Sequence, residues 1–139
     1  MERGFSLIET LLVISLIGSL AAITLPSLSA WIPQHAVRLE ARSVQLILER
    51  AYTLAITRAI PVEVHIAPNL VTVRTHNGTP LLSRHLRAPL TTRIKSGESR
   101  PLIFYPSHTA SPATVLIEGP SYLCAVVVSL RGRTRRECA

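Results

Sequence analysis

A chain of 139 residues has room for one small domain, and its 15 Lys+Arg against 8 Asp+Glu leave a formal charge of +7. The hydrophobic fraction is 47% with only 4% aromatic residues, so the apolar character is aliphatic and has to be concentrated in part of the chain. Two cysteines allow at most one bridge, and the clustered Cys and His spacing of a zinc site is absent.

The concentration lies at the start. From Phe5 to Leu25 the sequence reads FSLIETLLVISLIGSLAAITL, close to the roughly 20 residues that a helix needs to cross a hydrocarbon core, with Glu9 its single charge. This predicts a membrane-spanning helix. The competing reading is a secretory signal peptide, for which the leading Met-Glu-Arg-Gly is short and Ala21-Ala22 and Ser29-Ala30 are mediocre cleavage sites. Pro26 and Pro33 then bracket Ser-Leu-Ser-Ala-Trp-Ile and predict a kink or local melting, with Trp31 placed as a membrane-interface aromatic.

Between residues 34 and 60 apolar residues recur at Val37, Ala41, Val44, Leu48, Ala51, Leu54 and Ala55, one stripe of an amphipathic helix. Arg38, Glu40, Arg42, Glu49 and Arg50 are assigned to its polar face. Pro61 ends the helix, and residues 61–139 read as a β-rich head. Strands are expected at 62–67, 70–76, 91–95, 102–105, 114–118 and 123–130, with turns at Pro68-Asn69, Asn77-Gly78, Ser96-Gly97-Glu98-Ser99, 106–112 and Gly119-Pro120. The fold class is therefore α+β, a long N-terminal helix, residues 5–60, packed on a small antiparallel sheet.

The first ten residues, MERGFSLIET, resemble the leader of type IV pilins and type II secretion pseudopilins. That resemblance implies a four-residue leader cut by a prepilin peptidase between Gly4 and Phe5, N-methylation of Phe5, and Glu9 as the acid used in assembly. Electrostatics adds a reason for Glu9: a carboxylate inside hydrocarbon costs at least about 2.5 kcal/mol unless paired. Pairing with the methylated N-terminus of a neighbouring subunit would supply the partner, and headgroup depth is the plainer alternative. The stretches LIFYPSHTASPATVLIEG and CAVVVSLRGRTRREC resemble the GspH/FimT group of minor pseudopilins, which ends in a Gly-Arg-x-Arg element, here Gly132 to Arg135. The family's small-residue turn after the Phe-x-Pro element is Ser107-His108-Thr109 in this chain and lacks glycine.

The resemblance implies a structural subunit of a type II secretion pseudopilus or type IV pilus, at or near its tip. Its partners would be other pilins or pseudopilins, the prepilin peptidase and the inner membrane, with a single pass and the head in the periplasm. The alternative it carries is DNA uptake in natural transformation, with DNA bound by Arg133 and Arg135 of the Gly-Arg-x-Arg element; Arg131 and Arg136, clustered with them within six residues, are candidates for the same contact. In an extended strand Arg131, Arg133 and Arg135 would share a face at about 6.6 to 6.8 Å spacing, near that of successive phosphates. Charged protection of an exposed strand edge is the plain reading of the same arginines. Cys124 and Cys138 could join strand to tail in an oxidising compartment. The five histidines, His35, His65, His76, His85 and His108, are scattered and name neither a metal site nor a triad, and nucleophile-elbow and phosphate-loop patterns are absent. No enzymatic activity, cofactor or metal is expected.

Overall fold

The computed structural model describes residues 6–87, 90–95, 101–120 and 122–138, and at residues 24–30 of its helix the backbone alone. The chain divides into two compact units, residues 1–32 and 33–139. Helix α1 runs Leu7–Thr57 without interruption, so the melting expected between Pro26 and Pro33 does not occur. Each proline removes one donor, and the neighbouring turns continue the helical hydrogen bonding around it.

In the first unit the helix exposes its large apolar side chains, among them Leu7, Ile8, Leu12, Ile14, Ile17 and Ile23. The hydroxyls within the run turn back onto the helix: Ser15 Oγ donates to the Leu12 carbonyl at 2.8 Å and Ser19 Oγ to the Leu16 carbonyl at 2.8 Å. Among the described residues no helix is long and apolar enough to cross a membrane. The expected span, Phe5 to Leu25, lies outside the described residues at Phe5 and at the side chains of Thr24 and Leu25.

The second unit packs the C-terminal part of α1 against two antiparallel sheets rather than one. The first sheet has the order β3-β2-β1-β5-β6, from Pro80–His85, Leu70–Thr75, Val62–Ala67, Leu102–Tyr105 and Thr109–Ala110. The second has the order β4-β7-β8-β9, from Thr91–Ile94, Ala113–Glu118, Leu123–Val128 and Thr134–Cys138. Two backbone contacts stitch the sheets together: the Thr92 amide donates to the Pro68 carbonyl and the Ala110 amide to the Leu130 carbonyl, both at 2.8 Å. Asn77-Gly78 closes β2 onto β3 with Gly78 at φ 83, as the turn chemistry dictates. The Ser96-to-Ser99 turn lies outside the described residues.

Val37, Ala41, Val44, Leu48, Ala51 and Ala55 are buried as the helical stripe requires, and Ile47 joins them, while Leu54 is half-buried. They meet Val62, Val64 and Phe104 of the first sheet and Val115, Ile117 and Val126 of the second in one core. Gly119 belongs to this packing, because a Cβ there would lie 2.5 Å from Val37 Cγ2. Beyond it, Arg38 Nη2 donates to the Tyr122 hydroxyl at 2.7 Å and the guanidinium carbon stands 5.2 Å from the ring centroid.

Glu40 departs from its assigned place on the polar face: it is only 7% exposed. Its position explains the difference, since a residue three after Val37 and four before Val44 borders the buried stripe and is covered once β3 closes over it. The helix ends earlier than Pro61. Ala59 takes a left-handed φ of 52, and the Arg58 and Ala59 amides bond to the Leu54 and Ile56 carbonyls at 3.0 and 3.2 Å, a terminal turn that Pro61 then prevents from resuming.

Candidate functional site

Two regions carry the residues singled out from the sequence. In the first unit Glu9 lies in the first turn of α1, where a negative charge complements the unpaired amides of a helix start. Its own amide donates to the Ser6 carbonyl at 3.0 Å, and Thr10 Oγ1 donates to the same carbonyl at 3.1 Å. Glu9 is exposed. Gly4 and Phe5, the expected cleavage and methylation positions, lie outside the described residues.

The second region is the C-terminal hairpin of β8 and β9. It turns through residues 129–133: the Gly132 amide donates to the Ser129 carbonyl at 2.9 Å, the Ser129 amide to the Arg133 carbonyl at 2.9 Å, and the Arg133 amide to Ser129 Oγ at 3.2 Å. Gly132 sits at φ 72, a backbone that L side chains rarely adopt. At the opposite end Cys124 and Cys138 face one another in register, Cα atoms 4.1 Å apart, and their sulfurs are bonded.

This geometry breaks up the arginine rail expected from a single extended strand. Strand β9 begins only at Thr134, because the left-handed Gly132 reverses the chain there; Arg131 therefore occupies the turn, and Arg133 precedes the strand. Arg135 shares its face with Glu137 and pairs with it at 2.8 Å. Arg136 stands opposite Val126, on the other face, yet stays exposed because β9 is the sheet's edge. Four guanidinium groups are thus brought to one hairpin but not to one line. An exposed pair such as Arg135 with Glu137 contributes little to stability but lowers the local positive charge.

Residues that sequence reasoning passed over hold this hairpin. Thr134 Oγ1 donates to Glu49 Oε1 at 2.8 Å, and Gln45 Nε2 reaches the same oxygen at 2.9 Å. The Tyr52 ring lies against Gly132, with Cε2 only 2.3 Å from where a Cβ would be, and packs edge-on to Phe104 at 6.0 Å between centroids. Its hydroxyl lies 3.3 Å from His108 Nδ1. His108 adopts φ 59, so the glycine-free turn at 107–109 still takes the left-handed backbone, supported by Tyr52 and by Ser107 Oγ bonded to Thr109 Oγ1 at 2.9 Å. Nothing in the local sequence marks Tyr52 as the residue linking two turns more than twenty positions apart.

The histidines are less scattered in space than in sequence. His76 Nδ1 lies 2.8 Å and His65 Nε2 3.4 Å from the two carboxylate oxygens of Glu63. Among the described residues no group of three or more His, Cys, Asp or Glu is arranged to hold a metal ion.

No family model matches the sequence, and comparison with curated proteins finds no match. Solved structures do match. The type IV minor pilin FimU of Pseudomonas aeruginosa PAO1 aligns with a TM-score of 0.61 at 17% identity, over 72% of this chain and 91% of its own. The minor pseudopilin EpsH of the type 2 secretion system of Vibrio cholerae aligns with a TM-score of 0.61 at 19% identity, over 73% of this chain and 95% of its own. The chain shares the fold of these two structures, the type IV pilin-like arrangement of a long helix packed on antiparallel sheet.

Proposed function

We propose, from the premise of a fold shared with a minor pilin and a minor pseudopilin, that this chain is a structural subunit of a pilus or pseudopilus. What carries the reading is the combination in one chain of that fold, spanning 91% and 95% of two such subunits, with an apolar helical run in which Glu9 is the single charge. The subunit is a minor pseudopilin of type II secretion or a minor pilin at or near the filament tip. The prepilin peptidase cuts after Gly4 and Phe5 is methylated. Residues 5–25 cross the inner membrane once, with the head in the periplasm. The chain is a substrate of the peptidase and not itself a catalyst.

In the assembled filament the Glu9 carboxylate accepts the methylammonium of Phe5 from a neighbouring subunit, which removes the cost of an unpaired charge in hydrocarbon. Mass spectrometry of the chain coexpressed with a prepilin peptidase is expected to find a mature N-terminus at methylated Phe5, and Glu9→Ala to be cleaved but left out of filaments. Cleavage after Ala22 or Ala30 instead would return the chain to ordinary secretion.

Exposed Arg131, Arg133 and Arg136 on a hairpin closed at both ends favour a second reading, DNA binding by a minor pilin used in uptake. With few aromatics for stacking, binding would be independent of sequence and sensitive to salt. Fluorescence anisotropy of the full chain in nonionic detergent with duplex DNA is expected to show log K falling with log salt at about −0.9 per phosphate, roughly −2.7 for three arginines. Joint replacement of Arg131, Arg133 and Arg136 by Gln flattens that slope. Absence of binding at low salt leaves the purely structural role.

A further inference from the structure

Strands β3, β6, β4 and β9 end the two sheets, and the first three are blunted as edges. The Thr92 amide of β4 and the Ala110 amide of β6 are spent on carbonyls in turns of the other sheet, and β3 opens on Pro80, which has no donor. Strand β9 is different. Its register with β8, together with the bond from the Ser129 amide to the Arg133 carbonyl, makes residues 133, 135 and 137 the ones that bond inward. The amides and carbonyls of Thr134 and Arg136 therefore point away from β8, and among the described residues no backbone hydrogen bond reaches them. The bonded sulfurs of Cys124 and Cys138 fix one end of this edge and the turn at 129–133 the other, so the strand is held extended before any partner arrives.

Charge selects among the strands that could be added. Residues 131–137 hold four arginines against one glutamate, all of them exposed. The β9 of a second copy laid along this edge would set arginine against arginine, and like charges directly opposite one another destabilise a sheet. An acidic strand reverses the sign. Arg135 lies on the outer face beside its pair Glu137 and Arg136 on the inner face, so guanidinium groups flank the open edge on both sides. An added strand sends successive side chains to alternate faces, and consecutive acids would meet both groups. A row of phosphates brings acceptors alone and offers no donor to the Thr134 and Arg136 carbonyls.

We propose that the free edge of β9 binds an extended acidic segment of a partner protein as an added strand, with Thr134 and Arg136 pairing through their backbone and Arg135 and Arg136 meeting carboxylates on the two faces. The argument uses the head alone and does not depend on the filament reading. It differs from the DNA reading in requiring the backbone of β9 as well as its charges.

The test titrates the full chain, isotope-labelled in nonionic detergent, with the acetylated and amidated peptide Thr-Val-Glu-Glu-Val-Thr, following the amide resonances of Thr134 and Arg136 and their exchange with water. Saturable binding that slows exchange at both amides and weakens as salt rises is expected. The same peptide N-methylated at its four central residues keeps its charges but cannot form the ladder, and should bind at least about tenfold more weakly, the loss of two backbone hydrogen bonds. Replacing both glutamates by lysine should weaken binding by a similar factor. Arg136→Glu should narrow the difference between the acidic and lysine peptides by about tenfold. Should that variant not fold, Arg135→Glu on the outer face is expected to do the same. Equal binding by the N-methylated or the lysine peptide, no saturable shift, a difference unaltered in the variants, or duplex DNA that protects the same two amides as fully as the peptide overturns the proposal.

Discussion

Gly132→Ala is expected to destabilise the head by about 3 kcal/mol, read as a lowered urea midpoint of the full chain in detergent with an unchanged slope. Two costs combine. The left-handed φ of 72 penalises any Cβ by about 1 kcal/mol, and the added methyl falls 2.3 Å from Tyr52 Cε2, an overlap of the kind that costs about 1–3 kcal/mol in a packed site. The ring has little room to retreat, because Phe104 packs against it and His108 holds its hydroxyl. In a Tyr52→Ala background the same glycine substitution should cost only the backbone share, about 1 kcal/mol. Equal costs in both backgrounds would remove the tyrosine contact from the account. The glycine of the Gly-Arg-x-Arg element thus serves folding directly, as the seat on which the helix meets the last hairpin.

Cys138→Ser is expected to cost about 3 kcal/mol, the chain-entropy value for a loop of about 15 residues. Cys124 and Cys138 are 14 positions apart and close the end of β9 remote from its turn. Reductant should reproduce the loss in the parent and leave Cys138→Ser unaffected. Hydrogen exchange should place the loosening in the β9 amides, since β9 is an edge strand with one neighbour. A parent whose midpoint is indifferent to reductant would show that the pairing with β8 holds the strand unaided.

Local pattern carried much of this architecture. The three-and-four spacing from Val37 to Ala55 marked the buried face of α1, and strands were expected where β1 and β7 lie, whose alternating side chains bury Val62, Val64, Val115 and Ile117. Strand β3 escaped notice because it opens on Pro80 and follows it with two leucines, so it lacks the period of two; as an edge strand it tolerates both. The two residues of β6 are too short for any periodicity. Glu40 shows the other limit. A charged residue beside an apolar stripe reads as solvent-facing, and its burial is decided by β3, more than forty positions on. Among the C-terminal arginines, composition announced the cluster, whereas the division into turn, outer face and inner face follows from one glycine dihedral.

The hairpin has a topological consequence as well. With its turn at residues 129–133 and its sulfurs joined at the far end, the chain from Cys124 to Cys138 forms a covalent ring around its own strand pairing. An edge strand whose end is free can peel away and be replaced by the same strand of a second copy, the usual route to swapped dimers. Here β9 cannot leave its place without carrying β8 with it. The oxidised ring keeps each chain's β9 its own, and reduction is the event that would permit exchange.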